Sequence, residues 1–231
     1  MYAREIDGKE FTFGVSGKLL RNTLVMYDHQ TDSEWGQVLG KALTGPMVGT
    51  QLELVAASHW TWKEWRELHP DTLALEKPAY VERDPYESYY KIDAAGITGE
   101  TLMDNRLDTK DVVIGVLIGN FQIAYSHRAL GEMPVLNDTV GERQLLITFD
   151  PDTRSAAVFD RTIDGQALTF AQVESDIALI EDLESGTTWN KLSGRAIAGP
   201  LKDSALTRLP FTTAFWFGWK DNYPETRVYG E

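Results

Sequence analysis

The sequence contains no cysteine, so disulfides, thiolate metal sites and cysteine nucleophiles are excluded. Basic residues are also scarce: 22 Lys and Arg stand against 35 Asp and Glu, which gives a formal net charge of −13. Non-specific binding to nucleic acid or to anionic membranes needs a basic surface. We therefore expect neither nucleic acid nor an anionic membrane as a partner.

Long apolar runs are absent as well. No run approaches the roughly 18 residues of a membrane span, and the longest candidate, which begins at Val112, is broken by glycine. Charged Arg4, Glu5 and Asp7 stand where a signal peptide would be apolar. We expect no membrane span, and either a cytoplasmic protein or an exported one whose leader is missing from this sequence.

Common catalytic motifs are missing too. The sequence shows no P-loop, dinucleotide fingerprint, nucleophile elbow or catalytic triad. Its four histidines include no H-x-x-x-H or H-x-H pair, which gives a zinc site little support. The sequence therefore identifies no cofactor.

What the sequence does contain is a repeat. Apolar residues make up 42% of the chain, enough for a packed core. Adding 154 to the number of many Trp, Gly and Pro residues gives the same residue again. The repeated positions are Trp35/Trp189, Gly40/Gly194, Gly45/Gly199, Pro46/Pro200, Trp62/Trp216, Trp65/Trp219 and Pro70/Pro224. This ungapped register predicts an internal duplication.

Local patterns favour β-structure. Asp7-Gly8 predicts a two-residue hairpin turn, and Arg161 to Phe170 repeats that hairpin. Near the end of each repeat, Trp residues three apart predict one short helix, which in the first copy has Ser58 as its N-cap and ends before Pro70. Trp62, Trp65 and Leu68 form an apolar stripe expected to pack on the sheet. The fold class predicted is mainly β: two related β-rich modules, each with one short Trp-bearing helix.

The expected organisation has three parts. Residues 1–76 form a first module, residues 77–110 an acidic and aromatic connector, and residues 111–231 a second module. The connector, with its tyrosines and prolines, is expected to cross the surface as a strap.

Spaced motifs extend over nearly the whole chain. They are Met26 to Trp35, Gly40 to Gly45, Val113 to Tyr125, Asn137 to Gly141 and Phe159 to Phe170. In these motifs the chain resembles the uncharacterised domain-of-unknown-function family 3179, here in tandem with a truncated first copy. The resemblance implies a β-rich fold and implies no activity.

The chain departs from the pattern of that family at two places. The resemblance implies a Cys-Pro-x-Cys turn where this chain has Asp150-Pro151-Asp152-Thr153, and a Trp-His pair where it has Glu132-Met133. Such a set would suit a soft metal or redox chemistry, which this chain cannot build. The first copy begins inside its hairpin and lacks an equivalent of residues 111–160, so it is either truncated or has lost the ancestral site.

Candidate site residues fall into three groups. Asp28, His29 and His69 are candidates for acid–base catalysis; the structural alternatives are turn amides for Asp28, a solvated turn for His29 and a helix end for His69. Asp150 and Asp152 could hold a hard cation, and the structural alternative is a solvated hairpin tip. The ligand-contact candidates are aromatic: Trp60, Tyr86, Tyr89 and Tyr90.

Three functions are compatible with these features. The preferred hypothesis is a non-enzymatic ligand-binding or scaffold protein with an unidentified small molecule or protein as its partner. The second is an enzyme that uses the carboxylate and histidines of the first copy, with or without a divalent metal. The third is an assembly module that forms a homodimer through exposed edge strands.

Overall fold

The computed structural model of the chain describes residues 1–76 and 86–231. Within those ranges the protein is mainly β, as the sequence predicts. The first part of the chain contains a hairpin, a four-stranded sheet and two helices: β1 (Glu5–Ile6), β2 (Lys9–Glu10), β3 (Phe13–Leu20), β4 (Thr23–Asp28), β5 (Glu34–Gly36), β6 (Lys41–Thr44), α1 (Trp62–Leu68) and α2 (Glu87–Lys91).

The middle of the chain provides five longer strands and one helix: β7 (Val112–Ile118), β8 (Phe121–Ser126), α3 (His127–Glu132), β9 (Val135–Val140), β10 (Arg143–Phe149) and β11 (Ala156–Asp160). The last part repeats the pattern of the first: β12 (Thr162–Ile163), β13 (Gln166–Ala167), β14 (Phe170–Gln172), β15 (Leu179–Asp182), β16 (Thr188–Asn190), β17 (Ala196–Ala198), β18 (Thr207–Arg208), β19 (Thr212–Phe215), α4 (Trp216–Asn222) and β20 (Arg227–Val228).

The two repeated parts have the same local geometry. The hairpins β1–β2 and β12–β13 turn at Asp7-Gly8 and Asp164-Gly165, and all four residues have the positive φ that an Asp-Gly turn supplies. The sheets β3-β4-β5-β6 and β14-β15-β16-β17 are both antiparallel, with strands in chain order. The origin of this likeness in a duplication stays a prediction.

Three sheets and one helix stack as layers within residues 111–231. The sheet β19-β7-β8-β20 packs on the sheet β18-β11-β10-β9, for example through Val116 and Ile147. The opposite face of the latter packs on β14–β17 through Phe159 and Trp189. Helix α4 covers the outer face of the β7–β8 sheet. Strands β7 and β10 are covered on both faces. Their sequences are therefore near-continuous apolar runs.

Helix α4 contacts residues 1–76, and helix α1 contacts residues 111–231. At the end of α4, Tyr223 Oη donates to the carbonyl of Val38 at 3.1 Å. Glu64 of α1 accepts hydrogen bonds from Thr153 Oγ1 at 3.1 Å and from Ser155 Oγ at 2.9 Å. Helix α1 therefore lies over the second module, and the candidate site is found beneath it.

The expectation that the α1 stripe packs on a sheet is wrong. Trp62, Trp65 and Leu68 are 49%, 40% and 44% exposed. Their counterparts on α4 pack on β7 and β19, and the first module has no equivalent of those strands.

The N-cap of α1 also differs from the expectation, because it is Thr61 and not Ser58. Thr61 Oγ1 accepts from the amide of Glu64, whose carboxylate accepts from the amide of Thr61, so the two form a capping box. Ser58 instead accepts a hydrogen bond from Arg208 at 3.0 Å.

The connector contacts both modules over its described part. Asn22 Oδ1 accepts from the amides of Ile97 and Thr98, at 2.9 and 2.8 Å. Asp221 of α4 accepts from the amides of Thr101 and Leu102, at 2.8 and 3.0 Å. Residues 77–85 of the predicted connector lie outside the described residues, and the three module boundaries stay a prediction.

Candidate functional site

The first predicted catalytic residue, Asp28, uses its carboxylate for hydrogen bonds within and next to its own turn. Its carboxylate is fully buried and accepts from Trp35 Nε1 at 2.9 Å, from Thr31 Oγ1 at 2.9 Å and from the amides of Gln30 and Thr31. Burial raises the pKa of Asp28, but these hydrogen bonds together outweigh it and hold the pKa below its ordinary value. Both carboxylate oxygens are therefore occupied in holding the turn.

The two histidines lie elsewhere. The ring of His29 packs on Tyr27, with 5.0 Å between centroids. His69 is the C-cap of α1, and its ring lies 4.2 Å from that of Trp65. Among the described residues, no hydrogen bond or ring contact connects His69 with Asp28 or His29, so the structure does not bring the three together.

The connector tyrosines gather near the start of α4. Tyr89 and Tyr90 have ring centroids 6.3 and 6.4 Å from that of Phe215, and the ammonium of Lys110 lies 3.7 Å from the centroid of Tyr89. Tyr86 is the N-cap residue of α2 and is exposed. The ring of Trp60 contacts Trp65 instead, with 6.0 Å between centroids, so Trp60 belongs to a different ring cluster from Tyr89 and Tyr90.

The predicted cation residues form a tight turn. Asp150 Oδ1 accepts from the amides of Asp152 and Thr153 at 2.9 and 3.1 Å, as an Asx turn does. In residues 1–76 and 86–231, no three or more His, Asp or Glu side chains converge closely enough to hold a metal ion. Asp150 does, however, line a pocket that the sequence analysis did not predict.

That pocket lies between α1 and the second module and has a volume of about 150 Å³. Helix α1 and the residues before it form one wall, with Trp60, Glu64 and Glu67. The second module forms the other, with Asp150 and Lys191. A cavity of this size accommodates a molecule about as large as benzene.

Lys191 is the residue of the pocket that most needs an explanation. Its side chain is about 1% exposed, and its Nζ has no hydrogen-bond partner among the residues that the structure describes. Its backbone is fixed, since its amide donates to the carbonyl of Ala178 and its carbonyl accepts from Thr148 Oγ1, both at 2.8 Å. Burial lowers the pKa of Lys191, and the nearby carboxylates, Asp150 foremost, oppose that shift only in part.

Trp60, which lines the same pocket, carries a second donor without an acceptor. Its Nε1 is buried and has no partner within the described ranges. The guanidinium of Arg208 lies 5.8 Å from the centroid of the Trp60 ring, and it also bonds Ser58, two residues earlier. Arg208 therefore contacts the segment that carries Trp60 at two points. Buried donors are almost always paired in native proteins, so two unpaired donors on residues that line one small pocket call for an acceptor.

Glu64 connects the helix to the turn below it. Its carboxylate accepts from Thr61 Oγ1 at 2.6 Å and from the hydroxyls of Thr153 and Ser155. Burial raises the pKa of Glu64, but these hydrogen bonds outweigh it and hold the pKa below its ordinary value. Glu64 is thus a fixed charge and is occupied by protein donors.

The equivalent place beneath α4 is built differently. The counterparts of Glu64, Lys191 and Trp60 are Gly218, Gln37 and Ala214. Gly218 packs closely, since a Cβ built on it would lie 3.4 Å from Thr23 of the first module. Sequence reasoning missed Lys191, and the signal that could have found it is this change of charge and size at otherwise repeated positions.

The comparisons with known proteins add a family and no activity. A family model described as "Protein of unknown function (DUF3179)" matches residues 1–228. No curated protein and no solved structure was found to match the chain. None of the helices in the described ranges is long and apolar enough to cross a membrane.

Proposed function

Since the chain belongs to the DUF3179 family, which brings no activity with it, we propose from the geometry that it is a non-enzymatic protein that binds a small polar molecule between α1 and the second module. The observation that carries this proposal is the pair of buried donors, Lys191 Nζ and Trp60 Nε1, which both lack an acceptor among the described residues and belong to residues that line one pocket. A bound molecule with acceptor oxygens would satisfy both.

The cost of leaving these donors unpaired supports the proposal. An unpaired buried donor costs roughly 1–3 kcal/mol, and more if it is charged. Folding stability alone would favour an apolar side chain in place of Lys191, as happens when buried ion pairs are replaced by apolar residues. A lysine whose backbone is fixed at both ends is instead suited to meet a ligand.

The enzyme hypothesis receives less support. Its residues, Asp28, His29 and His69, do not share a pocket, and Asp28 has no exposed surface. Lys191 and Glu64 are close to one another, but Glu64 already accepts several protein hydrogen bonds. Binding therefore accounts for more of the geometry than catalysis does.

Assembly remains a second candidate, favoured by the exposed tryptophans of α1 and not by strand edges. Edge strand β3 carries a bulge between Val15 and Leu19, and such bulges discourage pairing with another chain. The other edge strand, β6, already forms backbone hydrogen bonds with residues 49–51. Trp62 and Trp65, in contrast, form an exposed apolar surface of the kind found at interfaces. Light scattering on the wild type and on Trp62→Ser tests this: a homodimer that dissociates in the variant supports assembly, and a wild-type monomer contradicts it.

Native mass spectrometry on the untagged protein tests the binding proposal. We expect one retained small molecule per chain in the wild type, its loss in Lys191→Met, and its retention in Gln37→Met, the matched change beneath α4. Extraction of the denatured protein identifies a molecule that does not survive transfer to the gas phase. If neither method finds a molecule and Lys191→Met only stabilises the fold, Lys191 is a buried residue with no role in binding and the proposal is wrong.

A further inference from the structure

The charges around the Lys191 pocket are divided between its interior and its mouth. The ammonium of Lys191 is buried, as is the indole N–H of Trp60. Glu67 lies on the exposed side of α1 and makes no hydrogen bond or ion pair with the described residues. Two residues with buried, unpaired donors therefore line the pocket, and the exposed, unpaired carboxylate of Glu67 lines it as well.

Asp150 strengthens this division. Its Oδ1 is occupied by the two turn amides, while its Oδ2 accepts no hydrogen bond within the described part of the chain. Asp150 is half-buried, between the exposed Glu67 and the buried Lys191. The unpaired negative oxygens thus lie further out than the unpaired donors.

These charges disfavour a ligand of one sign. A plain anion would meet Lys191 but also the carboxylates of Glu64, Glu67 and Asp150, so the lining as a whole repels it. A plain cation would be attracted to those carboxylates, but it would be repelled by Lys191 and would leave both donors without an acceptor.

We propose that the pocket binds a small zwitterion of the α-amino acid or betaine type, with its carboxylate inward and its ammonium outward. The carboxylate accepts from Lys191 Nζ and Trp60 Nε1, and the ammonium faces Glu67 and Asp150. A volume of about 150 Å³ limits the ligand to a small amino acid or one of similar size. This inference rests on the proposed binding function and names its ligand class.

Isothermal titration calorimetry with three molecules of similar size tests the class: alanine carries both charges, propionate only the negative one and alaninamide only the positive one. We expect alanine to bind at least tenfold more tightly than either of the others, and leucine and glycine betaine extend the series in size and in substitution at the nitrogen. Lys191→Met should lower the affinity for alanine at least tenfold and Glu67→Gln about threefold. Gln37→Met should leave it unchanged.

The other outcomes separate the ligand class from the function. If propionate binds as tightly as alanine the site is an anion site, and if alaninamide does it is a cation site; either result overturns the zwitterion. If no probe binds while mass spectrometry finds a molecule lost in Lys191→Met, the class is wrong and the binding function stands. If no probe binds and no molecule is found, both fail.

Discussion

Helices α1 and α4 share their internal contacts and differ in their surroundings. Trp65 Nε1 donates to Thr72 Oγ1 at 2.9 Å, and Trp219 Nε1 donates to Thr226 Oγ1 at 2.9 Å. Trp65 is nevertheless 40% exposed, whereas Trp219 is fully buried. The likeness therefore comes from the local sequence, and the burial comes from the strands that one module has and the other lacks.

Strand β7 leaves space for the helix that packs on it. A Cβ built on Gly115 of β7 would lie 2.2 Å from the ring of Trp219, so only glycine leaves room for the indole there. Trp216 and Trp219 pack with Val113 and Ala124 from the same sheet. In the first module the corresponding face of α1 is exposed to solvent.

The largest difference in stability should appear when the equivalent residues Trp219 and Trp65 are each replaced by alanine. We expect Trp219→Ala to lower the free energy of unfolding by about 3–5 kcal/mol, because it leaves a cavity between α4 and β7. Trp65→Ala should cost about 1 kcal/mol, because much of that ring is already in water. Denaturant unfolding of both variants measures the two losses in free energy of unfolding. Equal losses would mean that the α1 face is covered in solution.

A second matched pair should behave alike. Asp182 repeats the bonds of Asp28: it accepts from Trp189 Nε1 at 2.9 Å and from Ser185 Oγ at 2.9 Å. We expect Asp28→Ala and Asp182→Ala each to lower the free energy of unfolding by about 2–3 kcal/mol, because each leaves a buried indole N–H unpaired. A difference of more than about 1 kcal/mol would break the equivalence of the two turns.

Acid should reduce the effect of Asp28→Ala. The pKa of Asp28 is lower in the folded protein than its ordinary value near 3.9. Its contribution is therefore present above about pH 4 and is lost as the pH falls through the folded pKa. The gap in stability between wild type and Asp28→Ala should narrow below pH 4, as measured by urea unfolding at several pH values.

Much of the fold could be predicted, because its signals are local. Asp7-Gly8 indicates its own turn, and Asp28 is followed by the turn amides that it binds. The exposure of Trp62 could not be predicted from the repeat, because it depends on strands far away in the sequence.

The candidate site was missed for a related reason. Lys191 and Glu64 are 127 positions apart, and each looks like an ordinary surface charge in its own segment. The two residues meet only in the pocket that α1 and residues of the later part of the chain line together. Trp60 alone among the pocket residues was among the predicted ligand contacts, and Asp150 was predicted for a different chemistry.

The smallest effect concerns how each helix begins. Helix α1 has the Thr61–Glu64 capping box, whereas the N-cap residue of α4 is Phe215, which provides no side-chain cap. Burial stabilises α4, so an exposed helix of seven residues depends more on its cap. We expect Thr61→Ala to cost about 1 kcal/mol and to speed amide exchange in α1, with Thr213→Ala, which lies in β19, as the control. Because Glu64 also bonds Thr153 and Ser155, α1 should stay docked on the second module. If amide exchange in α4 rises as much as in α1, the two helices open together. They would then differ in solvent exposure and not in how much they depend on a cap.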